Sequence, residues 1–187
     1  DIARRAAELA FAHRITGYDA AYLAVAQSVH GRWATFDREA QTTLKLLRLF
    51  PADKLALKPA DRSGTAGQVI WTLVLGQIIV GMLLRQSDLS PGDMPQPPAT
   101  LPEMIAAFES AHADTMAALA RLTEAEMEAP VTLPVGPHAM GQVRRSDAMW
   151  MFLYDGIHHR GQLTVYQRMA GGKVPSIYGP SADEPWF

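Results

Sequence analysis

The chain has no cysteine among its 187 residues. That excludes disulfide staples, thiolate metal ligands and a cysteine nucleophile, so any thiol chemistry has to arrive with a small molecule. It also lacks an excess of either charge, since 17 Lys and Arg stand against 19 Asp and Glu for a formal charge of −2. Binding along a phosphate backbone draws on a basic surplus, and this balance argues against a nucleic-acid partner. The most apolar window, Val69 to Leu84, is free of charge but contains Thr72, Gln77 and two glycines, and is shorter than the ~20 residues that span a bilayer. It reads as a buried helix, with no membrane partner. Asp1 to His13 mixes Arg4, Arg5, Glu8 and His13 with alanines and offers no uninterrupted apolar stretch of the secretory kind, so the expected compartment is the cytoplasm. Strand alternation and internal repeats are missing as well.

What the chain does have is 48% hydrophobic and 19% charged residues, enough to bury a core at this length. The apolar residues return near a period of 3.6. Alanine-rich Ile2 to Ala12 and then Tyr18 to Val29 predict two short helices, and Trp33, Phe36, Ala40, Leu44, Leu47 and Phe50 predict a long one that Pro51 stops. Thr65 with Gln68 makes a capping box for a helix running to about Gln86, and Thr100 with Glu103 makes another for a helix running to Leu122. Thr123 with Glu126 starts one more turn before Pro130, Pro134 to Gly141 reads as loop, and Ser146 to Ala170 is a last long helix that Gly171-Gly172 ends. The tail beyond it is too rich in proline and glycine for regular structure. The expected fold is all-α, an antiparallel four-helix bundle, with residues 1–31 as a helical extension and 32–187 as the bundle domain.

Chemistry points to the last helix. Asp155, His159, Gln162 and Tyr166 stand at i, i+4, i+7 and i+11, one polar stripe on a helix otherwise full of large apolar side chains. A carboxylate and an imidazole one turn apart can share a divalent metal, or can simply hydrogen-bond to each other with Arg160 as a surface cation. The stripe is expected to face the bundle interior with Thr72 opposite, forming with Trp71 and Gln77 a small-molecule pocket. His112, on the apolar stripe of its own helix, reads as a hydrogen-bonded core histidine. His138 and Gln142 read as solvent-facing loop residues.

The run DGIHHRGQLTVYQRMAGGKVPSIYGPSADEP, together with FPADKLALKPADRSGTAGQVIWTLVLGQ earlier in the chain, resembles the DinB-like proteins, the damage-inducible helical-bundle family, over about residues 33–187. The resemblance implies a four-helix bundle, frequent homodimers, and often a divalent metal on three histidines, one on the second helix and an H-x-x-x-H pair on the fourth. Some members are similar to transferases that attach a low-molecular-weight thiol to an electrophile. Carried over by position, His159 matches the second histidine of the pair, Asp155 stands where the first does, and the second-helix histidine falls near Thr72, with Gly76 and Gln77 one turn on. With Thr72 in place of a ligand the expectation is no tightly bound cofactor, zinc or nickel on His159 and Asp155 being the alternative. The function expected is a small-molecule pocket, either that of a metal-dependent thiol transferase or hydrolase with a degenerate site or that of a metal-free dimeric binding or stress-response module. A homodimer through the nearly uncharged second helix and the N-terminal helices is also expected. A weaker similarity joins ITGYDAAYLAVA and ATFDREA to PIN-domain ribonucleases, with Asp19 and Asp37 at two acid positions, but about forty residues cannot build that parallel-sheet site.

Overall fold

The structure, a computed structural model, describes residues 29–85, 89, 92 and 94–187, with only the backbone described for 29–33. Its elements are α1 (Val29–Arg48), a single 3₁₀ turn (Ala52–Lys54), α2 (Ala66–Arg85), α3 (Leu101–Leu119), a short α4 (Glu124–Glu128), β1 (Pro130–Gly136), β2 (Ala139–Arg144) and α5 (Arg145–Met169). The chain divides into two compact units, Asp1–Glu39 and Ala40–Phe187, at a point inside α1. The helices expected over Ile2 to Ala12 and from Tyr18 onward, with Asp19, lie outside the described residues. Of the first unit the described part is the opening half of α1, which carries Asp37.

In the second unit, α2 packs on α3 and α5. Leu44, Leu47 and Phe50 from the end of α1, Ile70 and Val74 from α2, Met104 and Phe108 from α3 and Leu163 from α5 share one buried core. Burying each such side chain stabilises by about 1.5–3 kcal/mol, which sets the helix faces more firmly than propensity does. By length and composition α2 could cross a bilayer, but half of its apolar window is buried inside the protein, as in a core helix.

The helix starts follow the local signals. Thr65 and Gln68 exchange backbone hydrogen bonds at 2.7 and 3.2 Å. Thr100 with Glu103, and Thr123 with Glu126, form complete capping boxes. At the end of α5, Gly171 takes a φ of +76°. The Gly171 and Gly172 amides then donate to the Arg168 and Gln167 carbonyls, satisfying groups the helix leaves open.

Two expectations need correction. The chain is not all-α, because residues read as lacking strands form an antiparallel hairpin, β1 against β2, in which Val131 lies opposite Val143 and Leu133 opposite Gly141. Val131 and Leu133 are buried with Leu83, Leu89 and Ala148 in a second apolar cluster, and the Leu89 amide donates to the Thr132 carbonyl at 3.0 Å. Only those two inward residues on β1 carry the alternation, between Pro130 and Pro134, so the sequence signal is too short to stand out. Arg160 is not a surface cation but is 2% exposed. Its guanidinium donates to Thr43 Oγ1 at 3.2 Å and to the Tyr178 hydroxyl, and lies 5.2 Å from the centre of the Tyr178 ring.

Tyr178 belongs to the tail, which is irregular yet tied down at several points. Arg168 pairs with Asp183, which also accepts the Val174 amide at 2.8 Å. Lys45 pairs with Glu184 at 2.7 Å, and Glu184 accepts the Ser176 amide at 2.8 Å. Trp186 Nε1 donates to Ser176 Oγ at 3.0 Å.

Replacing Arg160 with Met keeps the stem and removes the buried donors, leaving Thr43 and Tyr178 without them. Urea unfolding followed by circular dichroism is expected to show a loss of about 3 kcal/mol; a change within about 0.5 kcal/mol, the surface range, would sink the buried-anchor reading.

The hydrogen bond from Lys45, helped by the Ser176 amide, holds the Glu184 carboxyl below the usual glutamate range. A lowered folded value means that this contact stabilises fully above the ordinary glutamate pKa of about 4.3 and is lost as pH falls through the lowered one. The Ser176 amide resonance is therefore expected to stay fixed from pH 7 to about 5 and to shift only below about 4.3; a resonance that already titrates at or above that value contradicts the assigned contact.

Candidate functional site

The buried face of α5 runs through Met149, Leu153, Arg160, Leu163 and Gln167. Asp155 follows Leu153 by two residues and Gln162 follows Arg160 by two, a rotation of about 200° in each case. Both are therefore exposed rather than interior, which corrects the expected orientation. His159, one residue before Arg160, sits at the rim with its side chain 24% exposed, against 50% for Asp155.

The rim residues form a short polar relay. His159 Nε2 lies 3.4 Å from Asp155 Oδ1, and its Nδ1 lies 2.9 Å from Gln162 Oε1. The Gln162 amide nitrogen reaches His158 Nε2 at 3.0 Å, and the two imidazoles meet edge to face with centroids 5.1 Å apart. A glutamine oxygen only accepts, so Nδ1 of His159 donates to it, and Nε2 is the nitrogen turned toward Asp155. A neutral His159 thus presents a lone pair to a carboxylate, an arrangement completed by a donor or cation between them.

The other expected pocket residues are not gathered there. Tyr166 is buried and its hydroxyl donates to the Gly64 carbonyl at 2.9 Å, pinning the loop before α2. Trp71 is 8% exposed within the core. Thr72 is half-buried on α2, and its hydroxyl donates to the Gln68 carbonyl at 3.0 Å. Gln77 faces α3, where its Oε1 lies 3.3 Å from Nδ1 of the buried His112. His138 and Gln142 are exposed on the hairpin.

A cleft that sequence reasoning did not find, about 430 Å³ in volume, lies between the C-terminal parts of α2 and α3 and α4, lined by Leu84, Arg85, Asp114, Arg121, Leu122 and Glu126. No motif marks it, because its residues come from separate elements and none has unusual chemistry alone.

With this geometry in view, comparison with known proteins is decisive about family. The DinB superfamily profile matches residues 35–163. The chain belongs to the DinB superfamily. It is 27% identical over 155 residues to YrdA, an uncharacterized protein of Bacillus subtilis (strain 168), covering 80% of this chain and 87% of that one. The crystal structure of a DinB-like protein from Bacillus cereus ATCC 10987 superposes with a TM-score of 0.65 at 21% identity, covering 80% of this chain and 97% of the other. That of the DinB-like protein YjoA from Bacillus subtilis gives 0.62 at 20% identity, with coverages of 76% and 93%. These structural likenesses carry the fold.

The DinB resemblance implies a three-ligand metal, and the donors of this chain can be tested against it. Two ligands of one tetrahedral ion with bonds of about 2.1 Å stand about 3.4 Å apart. The His159–Asp155 separation of 3.4 Å matches one edge of such a site. The rest is missing: among the described residues no group of three or more His, Asp or Glu could hold one ion. Thr72 is a neutral hydroxyl engaged with its own helix, and Gln77 is turned to His112. The donors do not fit the family's metal centre.

Proposed function

We propose that this DinB protein is a small-molecule-binding module of four-helix-bundle type that works without a tightly held transition metal. The observation that carries this reading is the Asp155–His159–Gln162 relay, with two metal-competent groups at the rim of α5 and, among the described residues, no third placed to share one ion with them. Two protein ligands seldom retain zinc or nickel where stable sites use three or four.

What the relay does suit is a ligand with an N–H or O–H donor, especially a protonated amine. Such a group can donate to the Asp155 carboxylate and to the neutral His159 Nε2 together, while Gln162 keeps the imidazole in the tautomer that accepts. Because the relay is half open to water, it fixes a ligand's orientation more than its affinity. The cleft at the ends of α2 and α3 falls within the usual size range of ligand pockets, about 300–1,000 Å³, and offers apolar walls with charges of both signs. The reading includes a cytoplasmic location.

A metal-dependent thiol transferase or hydrolase is the second reading, favoured by the tetrahedral spacing of His159 and Asp155. Elemental analysis of the full chain, purified without chelator or added metal, separates the two. The expected result is well under 0.2 zinc or nickel per chain, as a two-ligand site implies roughly. Near-stoichiometric metal that disappears in His159→Ala would overturn the metal-free reading in favour of the enzyme.

A further inference from the structure

The cleft at the ends of α2 and α3 has an apolar floor with charges at its ends. Asp114, Ala117, Ala118 and Arg121 line it at helical steps along α3 and the turn that ends it. At 1.5 Å per residue the acid and the base stand about 10 Å apart along the helix, with only alanine methyls between them. Leu84 from α2 and Leu122 beyond α3 wall this strip. Glu126 is already engaged, its Oε2 accepting from the Thr123 amide and hydroxyl at 2.8 and 2.7 Å to cap α4.

The Arg85 guanidinium is seated by a glycine. A Cβ at Gly81, one turn earlier on α2, would lie 3.3 and 3.5 Å from its Nη1 and Nη2 and 3.0 Å from Thr115 Oγ1. The guanidinium is therefore folded back along α2 to where that helix meets α3 at Thr115, the residue after Asp114. A cation in the last turn of a helix is favoured by the helix dipole, but the dipole asks for no such fold, which turns the side chain away from the helix end. Gly81 leaves room for it in a helix interior, where glycine is otherwise unfavourable. Among the described residues neither Arg85 nor Asp114 has a side-chain hydrogen bond or ion pair. A group that only donates and a group that only accepts thus stand unpaired at one end of the apolar floor.

We propose that the cleft binds a small zwitterion with an apolar body, an α-amino acid in its simplest form. Arg85 takes the carboxylate, Asp114 takes the ammonium, and the side chain lies over Ala117 and Ala118 against Leu84 and Leu122. A guanidinium offers a carboxylate two parallel hydrogen bonds, which fixes the ligand's orientation. Asp114 and Glu126 oppose a multiply charged anion, and Arg85 and Arg121 oppose a bare amine, so both signs of charge favour a ligand that carries both. The volume of about 430 Å³ suits such a molecule. The inference rests on the small-molecule reading, whose own test is metal content, so failure here shows in ligand titration and failure there in elemental analysis.

Titration of the full chain with L-phenylalanine, followed by amide chemical shifts, is the test. Hydrocinnamate, which lacks the ammonium, and phenethylamine, which lacks the carboxylate, are the comparison probes. L-phenylalanine is expected to bind with a Kd of about 0.1–1 mM and to shift the amides of Ala117, Ala118 and Leu122, each comparison probe binding about tenfold more weakly. Arg85→Met is expected to weaken L-phenylalanine about tenfold and to leave phenethylamine unchanged. Asp114→Asn is expected to weaken L-phenylalanine by a similar factor and to leave hydrocinnamate unchanged. Both positions are exposed, so both variants are expected to keep the wild-type circular dichroism. No shift along the cleft with L-phenylalanine at about 20 mM, well above that Kd, overturns the proposal. Either comparison probe bound as tightly as L-phenylalanine overturns the zwitterion. Shifts that gather on His159 and Gln162, survive Arg85→Met and vanish in His159→Ala overturn the cleft assignment while leaving the small-molecule reading in place.

Discussion

A guanidinium buried in the middle of α5 fixes the rotation of that helix, and the rest of the site follows from it. Arg160 is a poor residue to bury unless its donors find partners, because an unpaired buried charge costs several kcal/mol. Thr43 on α1 and Tyr178 in the tail are two of those partners. Turning α5 to suit any other residue would strand the charge. With Arg160 inward, His159 is held at the rim and Asp155 and Gln162 are turned out to solvent.

The tail is the second part of this constraint. It has no helix or strand of its own, yet Tyr178, Asp183 and Glu184 each take a cation from the helices, Arg160, Arg168 and Lys45. Two parts of the family-like run at the end of the chain, HHRGQ and KVPSIYGPSADEP, are thereby physically linked, because the arginine of the first is covered by the tyrosine of the second. At the other end of α5, Arg145 donates to the Leu83 carbonyl at 2.8 Å and to that of Glu126, tying the helix start to α2 and α4. The helix that carries the relay is thus anchored at its start, its middle and its end.

Much of this was legible in local sequence. The capping pairs at Thr65, Thr100 and Thr123, and the glycines after Ala170, mark element ends through short-range hydrogen bonds that need no tertiary context. The hairpin escaped because its burial rests on two side chains between prolines, and its stability comes from covering Leu83 and Ala148. The orientation of α5 escaped for a related reason. Asp155, Gln162 and Tyr166 share a stripe by periodicity, but Tyr154 and Met151 beside them proved to be exposed apolar residues, so apolar neighbours in sequence did not mark the interior. Arg160 could have been suspected only by pairing it with an aromatic far along the chain. His112 was correctly legible, since a lone histidine on an apolar face needs one polar neighbour, and Gln77 supplies it.

The central claim is that α5 holds His159 and Asp155 at the spacing of two ligands of one ion with no third described donor placed to share it. Zinc titration of the full chain, read by competition with a chromophoric chelator, tests it most directly. The account predicts weak binding that an equimolar chelator strips and that His159→Ala weakens further. Zinc retained stoichiometrically by the wild type against the chelator would contradict it.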